Sequence, residues 1–288
     1  MTDETRYIDI AGRRVGAGSP VYVIAEISGN HNGSYDRAVR ILEECAAAGV
    51  DAIKLQTYTA DTLTIDSDND IFKVGDNNTW AGRTLYDLYE EAHTPWDWQP
   101  KLKKRADDLG VHLFSSPFDF TAVDFLDEMD VPAFKVASFE SPDAPLVGYM
   151  ASKGKPILMS TGMATMEQID RAVVAARENG AGPGKLLLFK CVSSYPAPPE
   201  SMNLHTIPHL SDAFDVPVGL SDHTLGTHIP VAAVALGAIA IEKHVTLSRA
   251  EGGPDAEFSL EPAEVRRMVD DIRDVEKAMG KVTYGSTE

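Results

Sequence analysis

Three lysines, two histidines and a set of hydroxyls stand where short apolar runs end, and their types suit an anion held beside a divalent cation. The lysines are Lys54, Lys135 and Lys190, and Ser160, Ser193 and Ser221 lie at comparable places. Lysine supplies point charge, while hydroxyls and backbone N–H groups complete the coordination of phosphate or carboxylate oxygens. A Schiff-base aldolase, which needs one desolvated lysine, is the competing chemistry. His223 and His244 end adjacent runs, and two imidazoles on neighbouring strand ends can share one divalent cation, with water or substrate oxygens filling the rest. Such a site is open and weak, suited to a substrate-binding Lewis acid. Two histidines merely hydrogen-bonded at a polar mouth are the plainer alternative. Glu242 belongs with the lysines or around the metal ligands rather than on the metal. Glu26 ends the first run and precedes Ser28-Gly29-Asn30-His31-Asn32-Gly33. A carboxylate beside a polar, glycine-containing turn is a general acid/base candidate, with pinning of that turn as its structural alternative. His93, His112, His205, His209 and His228 have no such company and read as structural or surface residues.

The elements that position these groups follow from an alternation. Strand-like runs fall at Val21–Glu26, Ala52–Gln56, His112–Ser115, Ala133–Val136, Pro156–Ser160, Leu186–Lys190, Val216–Ser221 and Ala238–His244. Amphipathic helical patterns separate them, at Asp36–Ala48, Trp96–Leu109, Ala122–Met129, Pro145–Lys153, Met166–Asn179, Leu204–Phe214, Thr227–Leu236 and Ala263–Met279. Strand-then-helix repetition argues for a parallel sheet with helical crossovers. Eight repeats at this length fit an α/β protein of the closed (β/α)8 TIM-barrel type, one domain over residues 1–288 with an N-terminal segment at 1–18. Thr165 begins one helix, Gly49, Gly110 and Gly180 end three, and Pro262 sits near the first turn of the last. Thr57 to Thr94 is far longer than a usual βα loop. It carries Trp80, the acidic patch Asp66, Asp68 and Asp70, and a helical stretch at Thr84–Ala92, and loops of this length are usually functional. Along the strands, side chains alternate in direction. Ile53 and Leu55 must face the helices, which leaves Lys54 and Gln56 inside. By the same parity Gly219, Ser221 and His223 face in, as do Glu242 and His244. Ten polar groups at one end of a barrel, namely Glu26, Lys54, Gln56, Lys135, Ser160, Lys190, Ser221, His223, Glu242 and His244, are hard to explain as packing, because buried polar groups cost free energy unless paired. Barrel enzymes keep their chemistry at that end.

Composition narrows the classes. The chain has 288 residues, 43% apolar and 24% charged, with 26 basic against 44 acidic residues and a net charge of −18. Coating of nucleic acid is disfavoured, since that needs a basic surface. Two cysteines, Cys45 and Cys191, cannot form a disulfide scaffold. The N-terminal MTDETRYIDI lacks the pattern of a signal peptide, and the run Ile229 to Ile241 is too short to span a bilayer. A cytoplasmic protein with no membrane partner is expected.

The motifs together resemble the sialic acid synthase family. They are Ile24-Ala25-Glu26, Asn30-His31-Asn32-Gly33, Lys54-Leu55-Gln56-Thr57, Lys155-Pro156-Ile157-Leu158-Met159-Ser160-Thr161-Gly162-Met163, Gly219-Leu220-Ser221-Asp222-His223-Thr224 and Ile241-Glu242-Lys243-His244. The resemblance runs from about residue 20 to residue 284. It implies a (β/α)8 barrel that condenses phosphoenolpyruvate with an amino-sugar aldehyde, using Mn2+ or Mg2+. His223 and His244 would be the metal ligands. Lys54, Lys135, Ser138, Ser160, Ser193, Tyr195 and Ser221 would hold phosphoenolpyruvate, with Gln56 and Ser115 joining them from the strand ends. Glu26 would act on water or the tetrahedral intermediate, and Glu140 and Asp255 would contact the sugar. Within the family, Leu55–Thr59, Leu85–Glu90, Ala92–Trp96, Lys190–Pro196 and Leu247–Asp255 resemble the branch that uses a diacetamido-trideoxy-altrose. The alternatives are the N-acetylneuraminate and legionaminic acid branches, or a non-catalytic sugar-binding barrel. Relatives carry a further C-terminal antifreeze-like domain that reaches across a homodimer, and residues 281–288 would begin the linker to it.

Overall fold

Eight parallel strands close into a barrel in the computed structural model, which describes residues 6–75 and 82–285. After an antiparallel pair, β1 (Tyr7–Ile10) and β2 (Arg13–Gly16), the barrel strands are β3 (Tyr22–Glu26), β4 (Ala52–Thr57), β5 (His112–Pro117), β6 (Phe134–Val136), β7 (Ile157–Ser160), β8 (Leu186–Cys191), β9 (Val218–Asp222) and β10 (Ala240–His244). Each expected strand is present, and β10 pairs with β3 to close the ring, Glu26 opposite His244. Helices α1 (Tyr35–Ala47), α4 (Gln99–Leu109), α5 (Phe120–Glu128), α6 (Ala144–Ser152), α7 (Met166–Glu178), α8 (Thr206–Phe214), α9 (His228–Ala235) and α10 (Pro262–Met279) form the outer layer. Local chemistry sets their ends. Thr165 and Gln168 form a reciprocal capping box at α7, Pro262 opens α10, and Gly49, Gly110 and Gly180 take positive φ after α1, α4 and α7. Among the described residues no helix is long and apolar enough to cross a membrane.

Residues 58–93 leave the barrel after β4 and return before α4. They form α2 (Ala60–Leu63) and α3 (Leu85–Ala92), the latter capped by Thr84, whose hydroxyl accepts from Asp87 N at 3.1 Å. Trp80 lies outside the described residues. At the opposite end of the barrel, β1 and β2 cover the N-terminal ends of the strands, with Ile8, Ile10 and Val15 fully buried. Ala11 and Gly12 join them, both at positive φ, in the primed turn that matches the twist of a tight hairpin. The N-terminal segment expected at 1–18 contains this hairpin.

Ladder register shows which side chains enter the barrel. Lys54 stands opposite Phe114, Gln56 opposite Ser116, and Phe189 and Cys191 opposite Gly219 and Ser221. Two expectations are corrected by this. Ser115 points to the helices: its hydroxyl is bonded to Thr57 Oγ1 at 2.6 Å, which in turn donates to Gln99 of α4. Lys190 also points away from the mouth and donates to Cys191 O at 3.0 Å, while Cys191 takes the inward place. Gly219 leaves the room that Phe189 occupies, since a Cβ there would stand 2.6 Å from that ring.

Candidate active site

A cavity of about 480 Å3 opens at the C-terminal mouth, within the range of small-ligand sites. Its wall includes Lys54, Gln56, Lys135, Ser138, Glu140, Ser160, Tyr195, Ser221, His223, Glu242, His244 and Asp255. Eleven of these are expected site residues, and Glu242 completes the group as the partner of lysines.

At the base, four buried charges alternate. Lys54 Nζ lies 2.8 Å from Glu26 Oε2 and 3.4 Å from Glu242 Oε1. Lys135 Nζ lies 3.6 Å from the same Glu242 oxygen and donates to Ser160 Oγ at 2.6 Å. Ser221 donates to Glu242 at 3.0 Å. Parallel neighbours β10, β3 and β4 bring this about, because their alternation sends Glu242, Glu26 and Lys54 inward, Glu26 opposite Lys54 and Glu242 two residues earlier, opposite Ile24. Burial alone would lower Lys54, but Glu242 and Glu26 outweigh it and keep the ammonium charged. Burial lowers Lys135, with Glu242 opposing and Lys54 reinforcing. Burial would raise Glu242, yet Lys135 and Lys54 outweigh it and hold the carboxylate well below its ordinary range. Glu26 is fully buried one layer beneath the cavity wall, with Gln56 Nε2 donating to its Oε1 at 3.1 Å.

His223 and His244 meet above this base, ring centroids 5.2 Å apart. His223 Nδ1 is hydrogen-bonded to Val192 O at 2.8 Å, whereas buried His244 Nδ1 makes no hydrogen bond among the described residues and lies 3.3 Å from Asp255 Oδ2 as an ion-pair contact. A hydrogen bond at one ring nitrogen orients the other, which is how protein ligands of metals are usually held. Tyr195 and Phe258 pack on the His223 ring at centroid distances of 4.4 and 5.9 Å. Two rings each about 2.1 Å from a shared ion have centroids roughly 5–6 Å apart, so the donor pair fits one divalent cation. Among the described residues no group of three or more His, Cys, Asp or Glu side chains assembles a closed cage. The arrangement is therefore the open, two-imidazole kind.

Beside Lys135 lies a cradle of small groups. Gly162 N donates to Ser138 Oγ at 3.2 Å, and the Ser193 hydroxyl is buried without a partner. A Cβ on Gly162 would meet Ser193 Oγ at 2.7 Å, Ser138 Oγ at 2.8 Å and Cys191 Sγ at 3.2 Å. Ser193 thus stands behind the wall, not on it. The opposite wall comes from the long segment after β4, which contributes Tyr58, Leu63, Leu88, Tyr89 and Ala92. Glu140 faces this side, its Oε2 buried and unpartnered. Burial pushes its carboxyl up to about 7. The polar turn after Glu26 is structural: Asn30 donates to Val245 O and Ser259 Oγ, both at 2.9 Å, and accepts from Asp255 N. Those bonds, with Ser28 donating to Asp255, fix the loop that presents Asp255 to His244.

A (β/α)8 barrel whose mouth gathers paired lysines, carboxylates and two oriented imidazoles is built as an enzyme. A sequence profile of the NeuB family matches residues 41–284. Pseudaminic acid synthase of Campylobacter jejuni subsp. jejuni serotype O:2 is 44% identical over 260 residues, 90% of this chain and 75% of that one. N,N'-diacetyllegionaminic acid synthase of Legionella pneumophila subsp. pneumophila is 34% identical over 267 residues, 92% of this chain and 75% of its own length. Among solved structures, the N-acetylneuraminic acid (sialic acid) synthetase of Leptospira borgpetersenii serovar Hardjo-bovis, in complex with citrate, matches at a TM-score of 0.85 and 31% identity, covering 99% of this chain and 92% of that one. The chain belongs to the NeuB family, that of the sialic acid synthases, and is an enzyme.

Proposed function

We propose that the protein condenses phosphoenolpyruvate with an open-chain amino sugar, releasing phosphate and forming a nine-carbon 2-keto sugar acid. The sugar we assign is a diacetamido-trideoxy-altrose, which makes the activity that of a pseudaminic acid synthase. Greater identity to the Campylobacter pseudaminic acid synthase than to the Legionella enzyme supports that sugar. The observation that carries the reading is the convergence in one cavity of Lys54, Lys135, the Ser138–Ser160–Gly162 cradle and the His223–His244 pair.

Lys54 and Lys135 neutralise the phosphate and carboxylate, and the serine hydroxyls with Gly162 N fix their oxygens. Desolvated, preorganised donors of this kind are usually the largest electrostatic contribution to a rate. His223 and His244 would hold Mn2+ or Mg2+, which when bound polarises an aldehyde oxygen. Asp255 and Glu140 orient the sugar so that its aldehyde carbon faces carbon three of phosphoenolpyruvate. A carbon–carbon bond forms between them, the aldehyde oxygen gains a proton, and positive charge develops at carbon two. Water adds at carbon two, Glu26 receiving its proton. The tetrahedral intermediate then breaks its C–O bond to phosphate, its hydroxyl proton passing to the departing phosphate. This leaves the ketone and inorganic phosphate, and the proton taken by Glu26 makes good the one gained by the aldehyde oxygen.

Glu26 lies beneath the wall rather than on it, and this favours a second role in which it is the counter-ion that aligns Lys54. The test of the function is phosphate release from phosphoenolpyruvate with Mn2+ and a panel of amino sugars. Turnover is expected with the altrose derivative; turnover with mannose derivatives only would reassign the sugar, and none with any would overturn the reading.

A further inference from the structure

We infer that the buried Asp222–Lys243 ion pair is a positioning clamp for His223 and His244, setting the approach of the two imidazoles from behind the strands. The inference rests on those histidines holding a divalent cation. Asp222 and Lys243 stand directly opposite each other in the β9–β10 ladder, and each immediately precedes one of the histidines. Alternation sends the histidines into the mouth and this pair to the helix-covered side, where neither side chain has any exposed surface. Carboxylate and ammonium are 2.5 Å apart.

Between them they collect every polar group of Thr224. Its N–H donates to Asp222 Oδ1 at 3.1 Å and its hydroxyl to Oδ2 at 3.0 Å, while Lys243 Nζ donates to its carbonyl. The chain on both sides of His223 is thereby tied to the strand that carries His244. A hydrocarbon pair of the same volume would fill this space without desolvating two charges, so packing alone does not account for them. Directional bonds to Thr224 do what hydrocarbon cannot: they fix the angle at which the backbone leaves β9. Groups one step behind metal-binding imidazoles typically govern affinity by about 10–100-fold. The pair touches neither substrate nor cavity, so it acts only through the histidines.

Mn2+ binding, read by calorimetry and by the electron paramagnetic resonance of the bound ion, tests this on the whole chain. The Asp222→Asn/Lys243→Met double variant removes both charges together and leaves neither one stranded. Expected is a folded protein whose Mn2+ affinity falls by about 10–100-fold, with phosphoenolpyruvate affinity in the absence of metal within about threefold of the parent. Unchanged Mn2+ affinity in the folded variant would overturn the clamp. Failure of the parent protein to bind Mn2+ would instead overturn the metal reading beneath it, and the clamp with it. If the double variant does not fold, Thr224→Val carries the test. It deletes only the hydroxyl held by Asp222, and it should weaken Mn2+ a few-fold; no change there refutes the inference.

Discussion

Replacing Glu140 with Gln should alter the pH dependence of stability in a way set by one number. The Glu140 carboxyl is pushed from an ordinary 4.5 up to about 7, chiefly by burial. The folded protein therefore keeps that proton to a higher pH than the unfolded chain does. The sign follows: the unfolded state loses the proton first, so stability is greatest below 4.5, declines as pH rises and levels off above about 7. At about 1.4 kcal/mol per pH unit, the interval corresponds to about 3.5 kcal/mol, an upper bound because the side chain is only partly covered. Glutamine has no proton to lose, so this decline vanishes. Urea titrations of parent and variant at pH 5, 6, 7 and 8 supply the comparison, in which other titrating groups cancel. The stability of Glu140→Gln relative to the parent should rise by up to about 2.5 kcal/mol between pH 5 and pH 8. Kinetics give a second readout. If the neutral carboxyl donates to a sugar hydroxyl, the sugar KM of the parent should worsen above pH 7 by roughly tenfold, and that of the variant should not. Parallel stability curves would refute the raised carboxyl and the argument built on it.

Gly162→Ala should raise the KM for phosphoenolpyruvate at least tenfold while the fold persists, because its Cβ would stand 2.7 Å from Ser193 Oγ inside the cradle; an unchanged KM would move the anion elsewhere. Glu26→Gln should lower turnover by about 10²–10⁴ with little change in phosphoenolpyruvate affinity if Glu26 is the base. Loss of phosphoenolpyruvate affinity instead, measured by calorimetry, would establish it as the counter-ion of Lys54. Chelation should stop phosphate release and Mn2+ should restore it, in the parent but not in His244→Ala; full activity after exhaustive chelation would retire the metal.

Where apolar and polar residues alternate, the sequence was sufficient to orient the strands. Ala52-Ile53-Lys54-Leu55-Gln56 can bury its aliphatic residues only by turning Lys54 and Gln56 inward, and β9 and β10 follow the same logic. Leu186-Leu187-Leu188-Phe189 and Leu113-Phe114 are apolar on both faces, as strands buried on both sides must be. Such a run carries no parity, which is why Lys190 and Ser115 were expected at the mouth and the inward places belong to Cys191 and Ser116. Ser116 has a buried, unpartnered hydroxyl that its sequence context does not reveal. The N-terminal hairpin did leave a trace, since Ile8, Ile10 and Val15 lie on one face of two short runs joined by Ala11-Gly12. The Glu26–Lys54–Glu242–Lys135 arrangement needed the closure of the barrel, which sets Lys54 beside Glu242 although 188 positions separate them.

One contiguous stretch, residues 58–93, supplies Tyr58, Leu63, Leu88, Tyr89 and Ala92 to the cavity, yet none of the charged groups at its base. Its two ends are anchored independently, Thr57 by Gln99 and Thr94 by His31. On the proposed function the sugar would meet an apolar wall from this stretch together with the carboxyls of Glu140 and Asp255 from other loops, so its selection would be shared while the bond-making groups belong to the barrel itself. Exchange of that segment between relatives should therefore shift sugar preference only in part, while handling of the first substrate stays with the recipient. A lineage could in this way alter one wall of the proposed sugar site by recombining a single segment, with no intermediate in which the catalytic floor had to be rebuilt.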